Sequence, residues 1–109
     1  MNKQITIFGA GAWGTAIAQL LAHNGQRVTL WAHKASTVDE INTQHTNKTY
    51  VPGVVLHENI TATTDLATAL EAADWLVEAI PVTHLRGVFT RILDVGVSQK
   101  TPWLLLSKG

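Results

Sequence analysis

Three glycines constrain what this chain can fold into more than any other feature. They stand at Gly9, Gly11 and Gly14, in the stretch Thr6-Ile7-Phe8-Gly9-Ala10-Gly11-Ala12-Trp13-Gly14. Before them, Ile5-Thr6-Ile7-Phe8 is short, apolar and rich in β-branched residues, the pattern of a strand buried on both faces. After them, Ala16, Ile17, Leu20 and Leu21 fall on one helical stripe, and His23-Asn24-Gly25 supplies a stop with glycine just past the end. Arg27-Val28-Thr29-Leu30-Trp31 reads as a second strand. Strand, glycine turn, helix and strand within about 30 residues make a βαβ unit. In that setting the G-x-G-x-x-G spacing has a physical reason. Gly9 permits the tight turn, Gly11 lets a pyrophosphate approach the backbone, and Gly14 lets helix and strand pack closely. The bare N–H groups and partial positive charge at the helix start stabilise such an anion by up to about 2 kcal/mol. A purely structural β–α turn is the alternative.

The rest of the chain continues the alternation. Residues 35–45 read as a second helix, with Ser36 as a cap, Asp39 three residues on, and Val38 and Ile41 as its strong apolar positions. A polar loop follows over 46–59. Ile60-Thr61-Ala62-Thr63 reads as a short strand. Asp65 caps a helix in which Leu66, Ala69, Leu70 and Ala73 keep helical spacing. Residues 74–80 form a strand stopped by Pro81; Leu85, Val88, Phe89 and Ile92 mark a fourth helix; residues 103–106 form a last strand. The order β-α-β-α-β-α-β-α-β predicts an α/β fold, a doubly wound parallel sheet of the Rossmann type. Glu78 is unusual in an apolar strand and is expected near its solvent end, because burying an unpaired carboxylate is costly.

Composition narrows the class. Apolar residues make up 46% of the 109 and charged residues 15%, enough for a packed core in one small domain. Residues 1–109 are read as one incomplete dinucleotide-binding domain without its substrate domain, since the chain stops directly after a core strand. Lysine plus arginine equals aspartate plus glutamate at eight each, so there is no basic footprint for nucleic acid. There is no cysteine, which excludes disulfides, thiolate catalysis and Cys-type zinc sites and fits a reducing cytoplasm. No leader pattern and no apolar run of membrane-spanning length is seen, so neither a signal peptide nor membrane insertion is expected. The five histidines, His23, His33, His45, His57 and His84, form no i, i+4 pair, and no metal site is expected. Ser36 and Ser107 lack the surroundings of a hydrolase nucleophile, and Trp75 and Trp103 read as core or sheet-end packing.

The end of the second strand bears on which dinucleotide is held. Domains that prefer NAD usually place an acid about 20 residues beyond the glycines to bind the ribose 2′-hydroxyl. This chain reads Leu30-Trp31-Ala32-His33-Lys34, with no carboxylate. Lys34, and His33 when protonated, suit a 2′-phosphate, which favours NADP(H) and leaves NAD(H) open. A merely solvated strand end is the alternative reading of both residues.

"GAGAWGTAIA", "NKTYVPG" and the final "SKG" together resemble the NAD(P)-dependent glycerol-3-phosphate dehydrogenases of the bacterial type, over the whole length of the chain. The resemblance implies hydride exchange between nicotinamide and sn-glycerol 3-phosphate or dihydroxyacetone phosphate, in glycerophospholipid synthesis. It implies that Ala12 and Trp13 contact the cofactor in the turn, that His33 and Lys34 meet the adenosine phosphate, that Tyr50 lies on the cofactor side of the long loop, and that the nicotinamide lies near Pro81. Lys108 resembles the lysine that touches both cofactor and glycerol phosphate. An ammonium at a strand's C-terminal end also suits an oxygen on which charge develops; the alternative is an ordinary lysine. The Trp13 indole either walls the cofactor or covers the helix start.

The chain departs from the family pattern in two places. Ala12 stands where serine is frequent, and Ile80-Pro81-Val82 where Val-Pro-Ser is usual. The family's catalytic base and most of its substrate contacts belong to a helical second half, so no catalytic residue is assigned within these 109 and the chain is expected to bind cofactor without turnover. A homodimer is compatible with this reading. Two alternatives stand beside it: a reductase of the ketopantoate reductase or hydroxyacyl dehydrogenase type, and a nucleotide-binding module without chemistry.

Overall fold

The computed structural model describes residues 3–71, 73–80, 82–95 and 101–105. Five strands alternate with four helices in the expected order: β1 (Gln4–Phe8), α1 (Ala12–His23), β2 (Arg27–Trp31), α2 (Ala35–Gln44), β3 (Ile60–Thr63), α3 (Leu66–Glu71), β4 (Trp75–Glu78), α4 (Val82–Val95) and β5 (Trp103–Leu105). All strand pairs are parallel, in the order β3-β2-β1-β4-β5. The chain winds outward from β1 to β3 and then returns to add β4 on the other side. The strand order therefore reverses between β1 and β4, where the crevice of such sheets opens at the carboxyl ends.

Alternation along the strands divides the core between the two faces. Ile5, Ile7, Val28 and Leu30 face α1 and α2, where they meet Ala18, Ala22 and Ile41. Phe8, Trp31 and Leu76 face α3 and α4, where they meet Ala69, Leu70, Val88 and Ile92. Phe8 stacks on Trp103 at 5.5 Å between ring centroids, tying β5 to the centre of the sheet. The Thr6 hydroxyl, buried on the second face, donates to the Ala69 carbonyl oxygen at 2.6 Å.

Several local expectations are corrected. The buried stripe of α1 is Gly14, Thr15, Ala18 and Ala22, flanked by half-buried Ile17 and Leu21; Ala16 is exposed and Leu20 is 63% exposed. Close approach of this helix to the sheet selects small residues for the contact face, so the bulkiest side chains are not the most buried. Ser36 lies inside α2, whose first residue is preceded by Lys34 as a cap with no side-chain hydrogen bond. Asp65 does cap α3: its carboxylate accepts the Thr68 hydroxyl at 2.5 Å and the Thr68 and Ala67 amides, and these hold it below the ordinary aspartate range. Glu78 is the largest departure. It is 1% exposed, not at a solvent end, and its Oε1 accepts the Ile80 amide at 3.1 Å. Local hydrogen bonding at the strand's end makes this burial tolerable. Residue 106, expected in the last strand, lies outside the described residues.

Candidate coenzyme cleft

The three glycines do three different jobs in the turn between β1 and α1. Gly9 has φ +117°, a conformation that side chains rarely adopt, and a Cβ there would come within 2.6 Å of the Ala79 carbonyl oxygen. Its amide donates to the Trp31 carbonyl oxygen at 3.0 Å, which seats the turn over the ends of β1 and β2. A Cβ on Gly14 would overlap the Gly9 carbonyl oxygen, so this glycine sets the spacing between α1 and the sheet. A Cβ on Gly11 would meet nothing within 4 Å. The protein's own packing therefore does not require glycine at position 11, and the open space in front of it lies on the cleft side. Gly11 caps α1 without a side-chain hydrogen bond, and the first turn carries no acid. The helix-start amides thus have no side-chain anion from the first turn or the cap.

A cleft of about 610 Å³ opens at this point. Its floor is Gly9, Ala10 and Gly11 with Ile80 from just beyond β4; one wall is Trp31, Ala32, His33, Lys34 and Thr37; the other is Gly87, Val88 and Arg91 from α4, with Tyr50 at the rim. No aspartate or glutamate is among these lining residues. His33 and Lys34 are exposed where β2 gives way to α2.

Tyr50 reaches the rim because the long loop is fastened at both sides. Asn47 is 1% exposed, and its amide nitrogen donates to the Ala10 carbonyl oxygen at 2.8 Å and to the Thr15 hydroxyl at 3.0 Å. Its main-chain carbonyl oxygen accepts the amides of Tyr50 and Val51, at 3.2 and 2.8 Å. One residue thus ties the glycine turn to the loop that carries Tyr50. Glu40 holds the loop from the side of α2, accepting the Thr46 hydroxyl at 2.7 Å and the Lys48 amide at 2.8 Å. The Thr46 bond, with the Lys48 amide, lowers the Glu40 pKa from its ordinary value.

Of the residues singled out from the sequence, Gly9, Gly11, His33, Lys34 and Tyr50 line one cleft. Gly14 packs beneath it. Ala12 and Trp13 are not among the lining residues; both are exposed on the first turn of α1, Trp13 by 61%. The indole therefore does not bury itself over the helix start. Pro81 and Lys108 lie outside the described residues. Sequence reasoning missed Arg91, Thr37 and the fastening role of Asn47. Arg91 carries no motif and arrives only because α4 crosses the second face of the sheet. Asn47 was visible as part of "NKTYVPG", but its bonds depend on tertiary contact.

The profile of the family described as NAD-dependent glycerol-3-phosphate dehydrogenase N-terminus matches residues 4–109. The chain belongs to this family. Among relatives of the dehydrogenase N-terminal family, a protein of Enterococcus faecalis named glycerol-3-phosphate dehydrogenase [NAD(P)+] is 48% identical over 88 residues, covering 81% of this chain and 26% of that protein. The Bacillus subtilis protein of the same name is 39% identical over 107 residues, covering 98% of this chain and 31% of that one. The crystal structure of glycerol-3-phosphate dehydrogenase from Coxiella burnetii superposes with a TM-score of 0.91 at 34% identity, over 99% of this chain and 33% of that chain. A putative ketopantoate reductase from Ralstonia solanacearum superposes less well, with a TM-score of 0.74 at 25% identity over 96% of this chain and 32% of that one. The chain thus spans between a quarter and a third of the length of these three dehydrogenases. Among the described residues, no helix is long and apolar enough to cross a membrane, and no group of three or more His, Asp or Glu side chains is placed to hold a metal ion.

Proposed function

We propose that this chain is the coenzyme-holding part of an NAD(P)-dependent glycerol-3-phosphate dehydrogenase of cytoplasmic glycerophospholipid synthesis, and that it favours NADP(H). The observation that carries the reading is the cleft itself: an open glycine turn at the reversal point of a parallel sheet, with cations and no carboxylate among the described lining residues. The space in front of Gly11 fits a diphosphate, held by main-chain amides at the start of α1. His33 and Lys34 at the end of β2 take the ribose 2′-phosphate, Tyr50 closes the rim, and Ile80 with Pro81 abuts the nicotinamide end. Lys108 holds a substrate or coenzyme oxygen where charge develops. When bound, the nicotinamide supplies hydride exchange with the phosphorylated substrate. The residues of this chain bind, orient and exclude water; the proton-accepting base and most phosphate contacts to glycerol 3-phosphate belong to a second domain.

Family membership and the 34% identity to a dehydrogenase structure of the same fold favour this reading over a ketopantoate reductase, at 25% identity and a lower TM-score. Calorimetric titration with NADPH and with NADH tests it. Binding of both, tighter for NADPH, is expected. A tenfold preference for NADH, about 1.4 kcal/mol, overturns the cofactor assignment. Appreciable oxidation of glycerol 3-phosphate by these 109 residues alone would refute the division of labour between the domains.

A further inference from the structure

We infer that Arg91 of α4 is a specificity-determining residue of the cleft, donating to the 2′-phosphate of the coenzyme from the side opposite Lys34; the inference rests on the coenzyme reading above. Four observations carry it. The Arg91 guanidinium carbon lies over the Trp31 ring, 5.6 Å from its centroid. That ring is itself fixed, since Trp31 is 3% exposed and its indole N–H donates to the Thr64 carbonyl oxygen at 3.0 Å. Arg91 is exposed and has no ion pair or hydrogen-bond acceptor for its side chain among the described residues. Finally, Arg91 and Lys34 line the same cleft, whose lining residues include no carboxylate.

The geometry decides what the guanidinium is able to do. A guanidinium held over a ring is engaged through its charge and face, and its five N–H donors remain available for other acceptors. Those donors match the fork of a phosphate, which takes parallel charge-assisted hydrogen bonds. Trp31 is the last residue of β2, three positions before Lys34, so the indole platform brings a cation of α4 to the strand end where the ribose of such folds lies. An aspartate or glutamate at this place would select the 2′-hydroxyl; two unpaired cations from separate helical layers select its phosphate ester. Trp31 therefore acts as a positioning residue, and Arg91 as the contact.

The test uses two small probes that share the adenosine and differ in the 2′-phosphate, namely 2′,5′-ADP and 5′-AMP, titrated calorimetrically into the chain and into its Arg91→Met and Arg91→Lys variants. Arg91 is exposed, so both variants are expected to keep the fold, and circular dichroism checks this. Arg91→Met should weaken 2′,5′-ADP by about tenfold or more while 5′-AMP changes by less than about twofold, and Arg91→Lys should recover part of the loss because it keeps the charge without the planar fork. NADPH and NADH should repeat the pattern. Equal losses on both probes, or no loss on either, overturn the inference while leaving the coenzyme reading intact, provided the unaltered chain binds NADPH. An unaltered chain that binds neither NADPH nor NADH overturns both.

Discussion

At the scale of single residues, the glycines of the turn are separable by what a methyl group would meet. Gly14 has backbone in the way, and Gly11 has open space. Gly14→Ala should therefore destabilise the fold by about 2 kcal/mol or more, because neither the helix nor the strand end is free to give. Gly11→Ala should cost less than about 1 kcal/mol, since φ is −78° there and only the cap preference changes. Its effect should fall on the ligand, with NADPH affinity lowered about tenfold or more where the methyl group occupies the approach of the diphosphate. Urea unfolding and calorimetric titration of the two variants read these effects separately. Similar stability losses in both would mean that position 11 serves packing after all.

At the scale of elements, the Tyr50 part of the loop between α2 and β3 is positioned by two side-chain clasps, Asn47 and Glu40, and one of them titrates. The Glu40 carboxylate accepts from Thr46 and Lys48, which lowers its pKa below the ordinary value of 4.5. A folded-state pKa below the unfolded one contributes stability that is fully present above 4.5 and is lost as pH falls through the lowered value. The Lys48 amide proton should consequently show an NMR titration with its midpoint below 4.5, and Glu40→Gln should abolish it. A midpoint at or above the ordinary value would show that the clasp is not made in solution. The Asn47 clasp carries no charge and should persist through the same range. Because Asn47 also bonds Ala10 and Thr15, the Tyr50 rim stays registered to the glycine turn when the Glu40 clasp opens.

At the scale of the whole molecule, the cleft draws on the turn after β1, the end of β2, the segment just beyond β4 and helix α4, so a bound ligand joins both faces of the sheet. A dinucleotide at a hundred times its Kd should stabilise the folded chain by about 2.7 kcal/mol, raising Tm by roughly 10 °C for a chain of this size. Differential scanning fluorimetry with NADPH measures the shift, and its absence at saturating nucleotide would contradict a preformed site. The alternation of strands and helices, and with it the parallel sheet, was legible from hydrophobic patterning, since strands buried on both faces read as apolar runs between amphipathic segments. What patterning misjudged was the face of α1. Leu20 reads as core by hydrophobicity, yet the close contact forced by Gly14 leaves room for Ala18 and Ala22 instead. Glu78 was misplaced for a related reason: the penalty for burying a carboxylate is judged residue by residue, while the Ile80 amide that donates to it belongs to the segment that follows the strand.

By itself the sequence determined the order of elements, the glycine turn, the absence of an acid at the end of the second strand, and the likeness to one dehydrogenase family, because each is written in local spacing or residue type. Only the tertiary structure decided that Gly11 faces open space, that Asn47 ties the Tyr50 loop to the turn, and that Arg91 lies over Trp31. The last two join residues more than 30 positions apart, and all three are fixed by the crossing of helices over a twisted sheet, not by anything the neighbouring residues encode.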